Sequence, residues 1–155
     1  MNKIINKCCY VFVTLFFLSS GQLHAQTDLA LNKPVTASTA GLPASNAVDG
    51  NGSTRWGSTV GVDPSWITVD LGSNYSLSSV VIDWEAANAA DYQLQGSTNN
   101  SNWTTLATRS GLAFGNRTDT LSVNGSYRYV RMYGTKRSVG NAWGYSVQIK
   151  KGLGR

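Results

Sequence analysis

From residue 35 to residue 150 the chain is a series of short runs in which apolar and polar residues take turns, each closed by glycine, asparagine or serine. A period of two places alternate side chains on opposite faces of a strand, so the pattern calls for strands with one buried face. Ile67-Thr68-Val69-Asp70-Leu71 and the run from Tyr127 to Tyr133 show it best, and Gly72-Ser73-Asn74 and the Ser/Asn cluster from Ser97 to Asn102 are the breaks between runs. Strands are predicted at 35–38, 66–71, 77–84, 92–97, 103–108, 118–123, 127–133 and 145–150. A composition rich in Ser, Thr, Asn, Gly, Trp and Tyr and poor in Lys, Glu and Leu agrees with strands over helices. One helical turn is predicted within 44–48, after Pro43. Short strands at this spacing pack as an all-β, antiparallel β-sandwich or jelly roll, and 155 residues suffice for one such domain.

The first 25 residues read as a signal peptide: Lys3 and Lys7, an apolar run over 11–18, then Leu23-His24-Ala25 ending on a small residue. The domain is predicted at 26–155, in a secreted protein, extracellular or periplasmic. Cys8 and Cys9 precede the apolar run, so they are not placed for lipid attachment, and no later stretch approaches the ~18 apolar residues of a membrane span. Removing the leader removes both cysteines and the single histidine, His24. A domain without them forms no disulfide, runs no Ser-His-Asp or Cys-His chemistry and builds no His or Cys zinc site. Lys+Arg falls from 13 to 11 against 8 Asp+Glu, a net charge of +3. Arg128, Arg131, Lys136 and Arg137 alternate with tyrosines as on a solvated strand face, too sparse for a nucleic-acid footprint.

Six blocks carry a family resemblance. They are Leu29 to Ser38; Ala47-Val48-Asp49-Gly50-Asn51 with Thr54-Arg55-Trp56; Asp63 to Gly72; Val80 to Glu85; Asn102 to Thr105; and Arg128 to Thr135 with Arg137 and Gly144-Tyr145-Ser146. In that order they resemble the discoidin (coagulation factor 5/8 type C) family, its bacterial sugar-binding branch (carbohydrate-binding module family 32) above all. The resemblance implies a discoidin-type jelly roll that binds a polysaccharide or glycan without cleaving it. It also implies a monomer that inserts into no membrane, of the kind appended to glycoside hydrolases. Trp56, Trp66 and Leu71 are expected in the core.

Residues 47–54 gather carboxylate, amide, hydroxyl and carbonyl oxygens on a glycine-rich loop, the ligand set calcium takes. The resemblance implies a structural calcium there, held by Asp49 and Thr54 with backbone oxygens near Ala47 and Asn51. The same residues also make an ordinary Asp-Gly turn. The family's Leu-Trp-Glu after Gly-Tyr-Ser is replaced by Val147-Gln148-Ile149, which removes the glutamate that commonly completes that site. The final strand has diverged, or the frame is truncated or shifted.

The resemblance places the ligand at loops of one end: 39–42, 58–62, 85–91 and 135–143. Within them Glu85, Asn88, Arg137, Asn141 and Trp143 are the candidate ligand residues, Trp143 by stacking on a sugar face. Glu85 and Arg137 also read as a solvated ion pair. Loops 39–42 and 58–62 lack the histidine and acidic residues of some galactose-binding relatives, so galactose is not implied. Two other readings remain. A glycosidase needs paired carboxylates, for which only Glu85 and Asp91 share a candidate loop. An adhesive or membrane-surface module needs exposed apolar tips, for which Leu42 and Val62 are candidates.

Overall fold

The structure, a computed structural model, describes residues 27–153, so the predicted leader lies outside the described residues. Its strands are β1 (Val35–Ala37), β2 (Trp56–Gly57), β3 (Ser65–Trp84), β4 (Ala89–Ser97), β5 (Thr104–Arg109), β6 (Arg117–Ser122), β7 (Ser126–Arg137) and β8 (Ser146–Leu153), with a 3-10 turn at Ala44–Ala47. Every strand pairing is antiparallel. The first half of β3 lies between β1 and β7, in the order β1-β3-β7-β4-β5. Its second half lies between β8 and β6, in the order β2-β8-β3-β6. One strand thus belongs to both layers of a β-sandwich.

The runs 66–71 and 77–84, predicted as separate strands, are one. Between Asp70 and Tyr75 the register slips at a bulge, where Gly72 has φ +90, a value that favours glycine. The chain bends there and stays extended, because each side of the bend finds its own partners. Alternation then sorts the side chains: Ile67, Val69 and Leu71 point into the core from one layer, and Val80, Ile82 and Trp84 from the other. They meet Tyr92, Leu94, Val130, Met132, Val147 and Ile149. Trp56 is fully buried and donates its indole N–H to the Thr39 carbonyl at 3.0 Å.

Trp66 departs from expectation. The alternation that turns Ile67, Val69 and Leu71 inward turns Trp66 outward, so it is half-buried on the outer face. There the Arg131 guanidinium lies 3.9 Å from the Trp103 ring centroid, 5.3 Å from Tyr133 and 5.9 Å from Trp66. Inside, Asp119 accepts from the Trp84 indole at 2.8 Å, the Tyr92 hydroxyl at 2.7 Å and Arg117 Nε at 3.1 Å. Burial, then the Asp119 carboxylate, pushes the Tyr92 phenol well above its usual range. Beside the bulge Arg128 grips Asp70 through Nε and a terminal nitrogen, both at 2.8 Å, and this holds the Asp70 carboxyl below its usual 3.8.

Trp56→Ala is expected to cost about 3–5 kcal/mol of folding stability by opening a core cavity, and Trp66→Ala distinctly less, read by urea unfolding of both variants. Because the folded pKa of Asp70 is depressed, the unfolded chain binds its proton first on acidification. Stability from this contact is therefore complete above pH 3.8 and lost as pH falls through the lowered folded value. Thermal melts between pH 2 and 6 should show that loss, and Arg128→Gln should flatten it.

Candidate functional site

At one end of the sandwich the loops enclose a cavity of about 390 Å³. Arg55 and Glu85 stand on one side, the latter at the exit of β3, where its backbone N–H is held by the Ser146 carbonyl at 3.1 Å. Arg55 Nε lies 3.5 Å from Glu85 Oε2, with the two side chains 42% and 40% exposed. The same cavity is lined by Trp143, 55% exposed, and Phe114, 44% exposed, their rings nearly parallel at 22° with centroids 6.4 Å apart. Leu42 and Val60 add apolar rim. Two large exposed rings in one concave lining with a carboxylate and a guanidinium make the mostly apolar, few-polar-group surface typical of ligand pockets.

Beneath the rings the loops are tied by buried amides. Asn141 donates to the carbonyls of Asn88 at 2.8 Å and Gly144 at 2.6 Å, and accepts the Trp143 N–H at 3.0 Å. Asn88, fully buried, donates to the carbonyls of Ala113, at 3.3 Å, and Gly115, which brackets Phe114. Ser58 accepts the Tyr145 N–H at 2.9 Å, and the Gly61 N–H meets the Trp143 carbonyl at 2.6 Å. Gly144 permits this approach: a Cβ there would sit 2.4 Å from Ser58 Oγ.

Of the candidate residues, Glu85 and Trp143 line one cavity. Asn88 and Asn141 lie buried under it, holding the ring-bearing loops. Arg137 lies apart and does not meet Glu85: its Nε pairs with Asp63 at 2.9 Å, and Asp63 also accepts the Tyr145 hydroxyl at 2.5 Å. Burial, then the Asp63 carboxylate, drives the Tyr145 phenol well above its usual value. Sequence reasoning missed Arg55 and Phe114. Arg55 neighbours the inward Trp56 and so points out, and Phe114 stands in a glycine-flanked loop, the cue that had singled out Trp143.

In the 47–54 loop Asp49 accepts the Asn51 N–H at 2.9 Å and the Thr54 hydroxyl at 2.6 Å, and the Thr54 contact, the larger cause, holds its carboxyl below the usual range. Ala47 is buried at the end of the preceding 3-10 turn. From β8, Gln148 Nε2 reaches both the Asn51 carbonyl and the Thr54 carbonyl, the latter at 2.5 Å. Both carbonyls are thus taken by the Gln148 amide, and both Asp49 oxygens by groups of the loop itself. A calcium ion would have to displace that amide to reach the carbonyls, with a single carboxylate and neutral oxygens as its ligand set. No group of three His, Cys, Asp or Glu side chains suited to a metal occurs among the described residues.

Fold and site together define a jelly-roll module with a loop-end cavity. Residues 46–132 match the family model described as F5/8 type C, NedA-like, galactose-binding domain, and the chain belongs to that family. It is 41% identical to chitosan-binding module 1 of the chitosanase/glucanase from Paenibacillus sp. IK-5, over 80% of this chain and 97% of that one, with a TM-score of 0.74. Module 2 of the same enzyme, solved with chitotriose, is 34% identical over 82% of this chain and 100% of that one, with a TM-score of 0.75. CpGH89CBM32-4 of Clostridium perfringens, solved with GlcNAc-α-1,4-galactose, shares the fold at 21% identity and a TM-score of 0.71, over 83% of this chain and 94% of that one. The comparison with curated proteins gave no match.

Asn141→Ala leaves buried carbonyls without donors and is expected to cost about 1–3 kcal/mol of stability. Calorimetric melts check this, and the Trp143 fluorescence should redden as its loop loosens.

Proposed function

We propose that this protein is a secreted, non-catalytic module that binds chitosan or chito-oligosaccharides in the loop-end cavity. The observation that carries the reading is the exposed Trp143–Phe114 pair and the Arg55–Glu85 pair lining one cavity. An aromatic face takes the C–H face of a sugar ring, while the carboxylate accepts from hydroxyls or a protonated amine and the guanidinium donates to ring and hydroxyl oxygens. The similarity to two chitosan-binding modules, at 41% and 34% identity, supports the sugar class. Binding rather than hydrolysis fits the carboxylates: Asp91, the other acid of the 85–91 loop, is absent from the cavity lining and accepts the Gly111 N–H at 2.8 Å.

Calcium in this reading is structural. Asp49, Thr54 and the carbonyl of Asn51 would hold it, and it would supply positive charge at the point where the loop meets β8. Ligand sets with so little charge belong to the range of about 0.1–1 mM.

A membrane-surface reading has one observation in its favour, Val139, 89% exposed at the tip of the loop that carries Trp143. Co-sedimentation with anionic liposomes at a level matching glycan retention would replace the glycan reading with this one.

Titration calorimetry with glucosamine oligomers tests the main proposal. Trp143→Ala is expected to weaken binding by roughly 1–3 kcal/mol with the melting temperature nearly unchanged, and release of reducing ends from a bound glycan would refute the non-catalytic reading. For the metal, Gln148→Glu adds a carboxylate at the convergence point. Its melting temperature should rise with millimolar calcium and fall in chelator by more than that of the unmodified protein.

A further inference from the structure

Beside the aromatic cavity lies a second depression of about 180 Å³, walled by Thr54, Arg55, Asp83, Glu85, Asn116 and Gln148. The two depressions share Arg55, Glu85 and Ser146, so the ion pair forms the saddle between them. Their chemistry differs. The first offers stacked rings and aliphatic rim; the second offers hydroxyl, guanidinium, carboxylate and amide groups.

Its walls are held from behind. Asp83 is fixed by Lys150 Nζ and the Thr118 hydroxyl, each at 2.7 Å, and Gln148 is committed to the carbonyls of Asn51 and Thr54. Two groups are not committed. Arg55 Nε is buried yet has no hydrogen-bond acceptor, because its 3.5 Å approach to Glu85 is an ion pair without hydrogen-bond alignment. Asn116, exposed on the loop before β6, makes no hydrogen bond to any described residue, unlike the buried Asn88 and Asn141. An unmet guanidinium N–H and an open amide in a rigid polar recess are groups placed for hydroxyl-rich ligand.

We propose that this depression is a second sugar subsite: one ring lies on Trp143, the glycosidic link crosses the Arg55–Glu85 saddle, and the next ring enters the polar recess against Asn116. The module then reads a linear amino-sugar chain along its length rather than a single terminal residue. This rests on the chito-oligosaccharide reading above.

The test is calorimetry of the whole domain with glucosamine, its β-1,4-linked dimer and its trimer, on the unmodified protein, Asn116→Ala and Asn116→Trp. Thermal melts confirm that each variant is folded. The dimer should bind about tenfold more tightly than the monomer, a difference of about 1.4 kcal/mol. Asn116→Ala should cut that gain severalfold, and Asn116→Trp, which fills the recess, should abolish it. Affinity independent of chain length, or a length-dependent gain that survives Asn116→Trp, overturns the second subsite and leaves the first reading standing. Failure of every oligomer to bind overturns the underlying reading itself.

Discussion

The pairing of β3 with both layers is the constraint on which the rest of the molecule depends. Its first half is hydrogen-bonded to β1 and β7 and its second half to β6 and β8. The bulge at Gly72 therefore sets the angle between the layers, and so which side chains meet in the core. The Arg128–Asp70 pair clamps the start of this bend from outside. Residues 27–153 contain no cysteine, so no disulfide within them holds this layer geometry. The half-buried Asp119 contributes as well, joining Trp84 of one layer to Tyr92 of the other.

The site inherits its geometry from that frame. β3 ends at Trp84, and the next residue, Glu85, is delivered to the cavity with its backbone pinned to Ser146 at the start of β8. The loops opposite have no strand pairing of their own, so their backbone groups need other partners. Asn88 and Asn141 supply them, one beneath Phe114 and one beneath Trp143. The two rings stay exposed because the amides under them take up the polar backbone that would otherwise draw the loops into water. Rigidity achieved this way leaves little ordering entropy to lose when the cavity is filled.

Much of this was legible in the sequence. Alternation located the strands, and the ordered blocks pointed to the family to which the chain belongs. Trp143 and Glu85 were legible as loop-end side chains outside the core because a glycine-rich loop and a strand exit both leave side chains there. Arg55 was not, because its block reads equally well as framework around Trp56. Neither were the destinations of Asn88, Asn141 and Arg137, since an amide or guanidinium in a loop looks the same whether it faces a ligand or a backbone carbonyl.

The sequence by itself determined the elements: a two-residue period decides which faces are buried, and glycine and asparagine decide where runs break. Tertiary structure alone decided the partners. It fused two predicted strands into β3, and it gave Arg137 to Asp63 and Arg55 to Glu85. Local pattern depends on residues a few positions apart, whereas each of these contacts joins residues 30 or more positions apart (Arg55–Glu85) or 74 apart (Arg137–Asp63), and only the closure of the two layers around β3 brings them within reach.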